Sequence, residues 1–150
     1  MGVEAEYTDE FEVWWEELDE SERESVAAVV DLLEEHGPHL SFPHSSKIKG
    51  SNHGNMRELR IQHCGDPYRV LYAFNPLRNA ILLIGGNKKG DDDWYISNIP
   101  LADRLYDEHL KELESEKNKS TFKWSKIKMF IAICLVYSNK HWTYIINNRD

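Results

Sequence analysis

The sequence predicts an α+β fold in which an N-terminal helical hairpin packs on a three- to four-stranded antiparallel twisted sheet and a C-terminal helix follows. Three observations predict it. Apolar residues recur with helical period before Gly37 and after Pro100, strand-forming residues fill the stretch from Arg57 to Ile84, and Gly, Pro and Asn turn signals separate these blocks. A chain of 150 residues with 41% apolar residues can fill one core.

The first element carries Phe11, Trp14, Trp15 and Leu18 at helical spacing, and Asp19-Glu20 joins it to a second helix. There Ser21-Glu22-Arg23-Glu24 fits a capping box, in which a serine oxygen and a returning glutamate satisfy free amides of the first turn. Val26, Val29, Val30 and Leu33 form its apolar stripe, and Gly37-Pro38 stops it. Next, Arg57, Leu59 and Ile61 alternate with Glu58, Arg60 and Gln62, as in a half-buried strand whose polar face meets solvent. Gly65-Asp66-Pro67 turns into the strand Tyr68 to Phe74, and Asn75 to Asn79 turns into the apolar strand Ala80 to Ile84. From Gly85 the composition predicts a loop, with Asp91-Asp92-Asp93 solvated. A third helix is expected from Ser97 or Asn98, with Pro100 near its first turn and Leu101, Leu105, Tyr106, His109, Leu110 and Leu113 on one stripe. The order is α-α-β-β-β-α, with room for an extra short strand at Val3 to Tyr7. The composition shifts after Glu116, so the expected division is a working domain over 1–116 and a basic, apolar extension over 117–150.

The formal net charge of −8 argues at first against a polyanionic partner. Divided along the chain it reads differently: residues 1–36 carry −13, 37–90 carry +6, 91–116 carry −7 and 117–150 carry +6. The strands therefore bear the cations, and the helices bear the acids. The longest apolar run, Met129 to Tyr137, is too short for a membrane-spanning helix, and the acidic first 20 residues lack a signal-peptide order. A cytoplasmic chain without membrane contact is the expectation. Cys64 and Cys134 fit neither a CxxC motif nor a disulfide framework and read as buried thiols.

The candidate chemistry lies in Arg57, Arg60, Arg69, Lys88, Lys89 and Tyr95. Arg69 interrupts an apolar strand, where a charge is costly unless it pairs. It either meets an acid such as Glu58 on the neighbouring strand or opens onto a ligand, and Lys88 and Lys89 follow the third strand closely enough to join it. The histidines His36, His39, His44, His53, His63, His109 and His141 lack metal-ligand spacing, although His53 or His63 is a candidate proton carrier because an imidazole ordinarily titrates near physiological pH. No phosphate loop, dinucleotide fingerprint or nucleophile elbow occurs.

The motifs Lys49-Gly50-Ser51, Met56 to Arg60, Pro67 to Phe74, Ala80 to Gly90 and Ile99 to Asp103 closely resemble the phage-derived, HigB-like branch of the RelE/ParE toxin superfamily. With the helical hairpin, the resemblance covers residues ~5 to 114. It implies a type II toxin, an mRNA endonuclease that cuts codons in the ribosomal A site and is silenced by a cognate antitoxin. Residue by residue it implies catalytic roles for Arg60, Arg69, Lys88 and Tyr95, and RNA contacts for Lys47, Lys49, Arg57, Lys89 and Trp94, with Trp94 stacking on a base. It implies no metal and no cofactor. Where active family members carry a second basic residue before the turn, this sequence has Glu58. In such a site the ribose 2′-hydroxyl attacks the adjacent phosphate, arginines stabilise the developing charge, and Tyr95 or Lys88 moves protons if neighbouring cations lower its pKa. Two other readings stay open: a gyrase-binding, ParE-like toxin that cuts no RNA, and a decayed homologue that only binds its antitoxin.

Overall fold

A computed structural model describes residues 2–117 of the chain. The elements run β1 (Ala5–Tyr7), α1 (Asp9–Glu17), α2 (Glu20–His36), β2 (Ser45–Lys47), β3 (Arg57–His63), β4 (Asp66–Phe74), β5 (Ala80–Asn87) and α3 (Trp94–Glu116). They build one five-stranded sheet in the order β1-β5-β4-β3-β2. The expected antiparallel meander is present as β3-β4-β5. The sheet is nevertheless mixed, because β1 pairs parallel with β5 and β2 adds antiparallel to β3. Both edge strands are three residues long, too short to show a period of two, so their pairing is decided by distant partners.

Local chemistry sets the helix ends. Thr8 caps α1 by accepting from the Phe11 amide, and Asp9, Glu10 and Glu12 place negative charge on its first turn, where the helix dipole favours it. The capping box of α2 belongs to Asp19 and Glu22, two residues before the expected Ser21: Asp19 accepts from the Glu22 amide and Glu22 accepts from the Asp19 amide. Ser21 instead donates to Asp19 from within the first turn. Gly37 ends α2 at a positive φ of 56°, a conformation that glycine adopts without a Cβ penalty.

Both faces of the sheet are covered, which corrects the expectation that one would meet solvent. Phe11, Trp15, Val26, Val30 and Leu33 of the hairpin pack on Leu59, Ile61, Val70, Tyr72 and Leu82. On the other face, Trp94, Ile99, Ala102, Leu105 and Tyr106 of α3 pack on Leu71, Ala73, Ile81 and Leu83. The third strand also extends past its expected end, through Gly85 and Gly86 to Asn87. A Cβ on Gly85 would collide with the Trp14 ring, and one on Gly86 with the Trp94 ring on the opposite face. The glycines are therefore strand residues that admit two indoles, not loop formers. The same packing starts α3 at Trp94, ahead of the expected Ser97, and leaves Pro100 inside the helix. Ile96, whose carbonyl Pro100 cannot serve, is exposed to water.

Cys64, expected to be buried, is exposed in the β3–β4 turn. Cys134, His141 and nearly all of the 117–150 extension lie outside the described residues. Among the described residues, no helix is long and apolar enough to cross a membrane.

Candidate functional site

The antiparallel register of β3 and β4 sets Arg60 directly opposite Arg69. Glu58, two residues from Arg60, shares that face, and α3 brings Tyr95 over it. Glu58 is 4% exposed and is the centre of the group. Its Oε1 accepts from Arg60 Nη1 at 3.0 Å and from Ser46 Oγ at 2.9 Å, while its Oε2 accepts from the Tyr95 hydroxyl at 2.6 Å. Arg69 Nε lies 3.8 Å from Oε2. Of the two alternatives posed for Arg69, the acid partner is the one realised. Arg69 is itself 4% exposed, donates from Nη1 to the Tyr68 carbonyl at 2.9 Å, and leaves its buried Nε without a hydrogen bond. It charges the site from beneath, while Arg60 and Lys88, both half-buried, reach its surface.

Tyr95 differs electrostatically from expectation. Burial, followed by its bond to Glu58, pushes the phenol above its ordinary value of 10.0, and the opposing influence of Arg69 is smaller. The hydroxyl is therefore a proton donor at neutral pH. Lys88 Nζ stands 5.1 Å from the centre of the Tyr95 ring, in cation–π range. Lys89 turns away to Asp66, at 3.1 Å. A hydrogen bond from Asn87, with further help from Lys89, holds the Asp66 carboxyl below its usual range.

A model of the family described as phage-derived, Gp49-like protein matches residues 13–107, from the middle of α1 into α3. The chain belongs to this Gp49-like family. The matched span contains Glu58, Arg60, Arg69, Lys88 and Tyr95. Two Mycobacterium tuberculosis proteins are similar to it. It is 43% identical over 108 residues to the protein named "Putative toxin HigB2", covering 71% of this chain and 54% of that relative. It is 45% identical over 94 residues to "Putative toxin HigB3", covering 62% of this chain and 81% of that relative. The chain thus spans about half the length of the first relative.

Several sequence candidates of the Gp49-like domain lie apart from the Glu58 group. Arg57 points to the hairpin face, where Nε donates to Ser45 Oγ at 3.2 Å and Nη2 to the Leu40 carbonyl at 3.4 Å. Alternation along β3 explains the separation, since neighbouring residues of a strand face opposite sides. Trp94 is 5% exposed, with its indole against Gly86, so its ring is core and offers no free face for a base. Lys47 and Lys49 are exposed along the β2 edge. His53 bonds Asp107 at 2.8 Å, and His63 bonds Ser25 at 2.8 Å on the hairpin side. Neither histidine belongs to the group.

Sequence reasoning named Glu58 as one partner for Arg69, as a solvent-face residue and as a departure from the family's basic position, but not as the centre of the group. It missed Ser46 altogether. The available signal was the strand pairing: two arginines on one sheet face, with one acid among them, leave that acid to pair with both.

Proposed function

We propose that this Gp49-like chain is the toxin of a type II toxin–antitoxin system and an endoribonuclease of the RelE/ParE superfamily. It cuts mRNA in the ribosomal A site in the cytoplasm, needs no metal, and is held inactive by a cognate antitoxin. Residues 1–116 form the toxin domain, and 117–150 extend it. The observation that carries the reading is the Tyr95–Glu58 hydrogen bond set between Arg60, Arg69 and Lys88. The names of the two relatives supply the toxin class.

The chemistry follows from those contacts. As the 2′-oxygen bonds to phosphorus, its proton passes to the Tyr95 oxygen while the phenol proton passes to Glu58. A phenol held above its ordinary pKa suits this relay, because it need not ionise beforehand. Arg60 stabilises the charge that builds on the non-bridging oxygens, and Arg69 adds its field from below. When the bond from phosphorus to the 5′-oxygen breaks, the Lys88 ammonium protonates that oxygen. The products are a 2′,3′-cyclic phosphate and a 5′-hydroxyl. Glu58 then releases its proton to water while Tyr95 keeps the one taken from the 2′-oxygen, and Lys88 regains one from water.

The test is mRNA cleavage in a translating extract, paired with growth arrest on expression without antitoxin. Arg60→Ala and Tyr95→Phe are each expected to lower cleavage about 10²- to 10³-fold, the usual effect of removing one donor to a developing oxyanion. Cleavage that survives both substitutions overturns the site. Intact mRNA with inhibited gyrase supercoiling would assign the toxin to the gyrase-binding class, and normal growth would mark a homologue that only binds its antitoxin.

A further inference from the structure

We infer that Phe42 is a stacking platform for a base of the single-stranded RNA that enters the Arg60 site, an inference that rests on the ribonuclease reading above. Phe42 is 71% exposed, although a phenyl ring is ordinarily placed in a core. Its ring is nevertheless held in place. The Arg60 guanidinium lies 5.3 Å from the ring centre, and this is the same guanidinium that donates to Glu58. The backbone beneath is tied down as well: the His44 and Ser45 amides donate to the Ser41 carbonyl at 3.0 and 3.1 Å, closing a turn around Phe42. The Arg60 amide then donates to the His44 carbonyl at 2.8 Å. One residue, Arg60, thus fixes the turn by its backbone and the ring by its side chain.

One face of that ring meets a guanidinium, and the exposed surface remains available to a flat partner. The charge around it selects the partner's class. Between Glu35 and Glu58 the sequence has no acid, and Lys47 and Lys49 are exposed along the β2 edge that follows the Phe42 turn, while Arg57 lies on the opposite sheet face. An aromatic ring backed by an arginine and set in a cationic edge matches how sequence-tolerant sites grip single strands, with phosphates on the cations and a base on the ring. Trp94, the aromatic that the sequence singles out for stacking, is buried. Phe42 supplies the exposed ring instead, on the near side of Arg60.

The experiment uses the full 150-residue chain and measures cleavage of a defined mRNA in a translating extract as a function of mRNA concentration. The variants are Phe42→Leu and Phe42→Trp, with Arg60→Ala as the reference. Phe42→Leu is expected to raise the KM about tenfold or more at little change in kcat, the size of one lost base stack. Phe42→Trp is expected to restore the parent KM, and both variants should melt with the parent because the ring is exposed. If Arg60→Ala abolishes cleavage while Phe42→Leu cleaves like the parent, stacking is wrong and the ribonuclease reading stands. If Phe42→Leu weakens only neutralisation by the antitoxin, the ring serves a protein partner and the inference falls. Absence of cleavage by the parent chain removes both.

Discussion

Two glutamates lie buried on the α3 side of the sheet, one towards each end of the helix, and their surroundings assign them opposite behaviour. Glu58, under Tyr95, is ringed by two arginines, a serine and a phenol. Glu6, on β1, meets Asn79 at 3.4 Å and His109 at 3.6 Å among the described residues. Burial pushes the Glu6 carboxyl above its ordinary 4.5 and the His109 imidazole below its ordinary 6.5, shifting each towards its uncharged form. Similar depth therefore does not confer similar chemistry. At one end a carboxyl is hydrogen-bonded and paired with arginines beside a phenol; at the other, burial disfavours the charged forms of a carboxyl and an imidazole.

The contrast breaks most visibly at Glu58. Replacing it by leucine leaves the Arg69 charge buried without its acid, and Glu58→Leu is expected to cost ~3 to 5 kcal/mol in urea denaturation. The double variant Glu58→Leu/Arg69→Met should regain most of that stability while cleavage stays lost. A single variant as stable as the parent would mean that Arg69 reaches water.

A smaller effect separates the two faces of the sheet. Gly85→Ala pushes on Trp14 and Gly86→Ala on Trp94, and each is expected to cost about 1 to 3 kcal/mol by overpacking. Only Gly86→Ala should also reduce cleavage per folded molecule, because Trp94 carries Tyr95. Equal activity losses would show that the site senses stability alone.

The smallest effect is at Glu6. Its folded carboxyl binds a proton more tightly than the unfolded one, so it contributes stability fully below pH 4.5 and loses that contribution as pH rises through the folded value. Relative to Glu6→Gln, the parent should therefore gain stability on acidification towards pH 4.5, by less than about 1 kcal/mol. Denaturation midpoints of both proteins between pH 8 and 4 measure it, and a flat difference would place Glu6 in water. His109 works in the other direction, losing stability as pH falls through 6.5, but it is common to both proteins.

Much of this fold was legible along the chain. The stripe from Val26 to Leu33, the alternation from Arg57 to Gln62 and the apolar strand from Ala80 each express local periodicity, and each became the expected element. The misses share a cause. Ser21 was read as the cap because Ser21–Glu24 and Asp19–Glu22 both fit a capping box two residues apart, and Asp19 starts the helix earlier. Gly85 and Gly86 read as a loop because their reason for being glycine, two tryptophans from distant helices, has no local trace. Arg60, Arg69 and Tyr95, singled out in the sequence by type and order, meet around Glu58. Glu58 was undervalued because its neighbours in the sequence gave no sign that α3 would cover it.

The sequence by itself determined the helices, the three long strands and the concentration of cations on the sheet, since these depend on spacing and composition. Only the tertiary structure decided that Arg57 and Arg60 face opposite sides, that Arg69 and Trp94 are buried, and that Phe42 stands against Arg60. These facts depend on strand register and on the covering of a sheet face by a helix, and both are contacts between residues far apart in the chain.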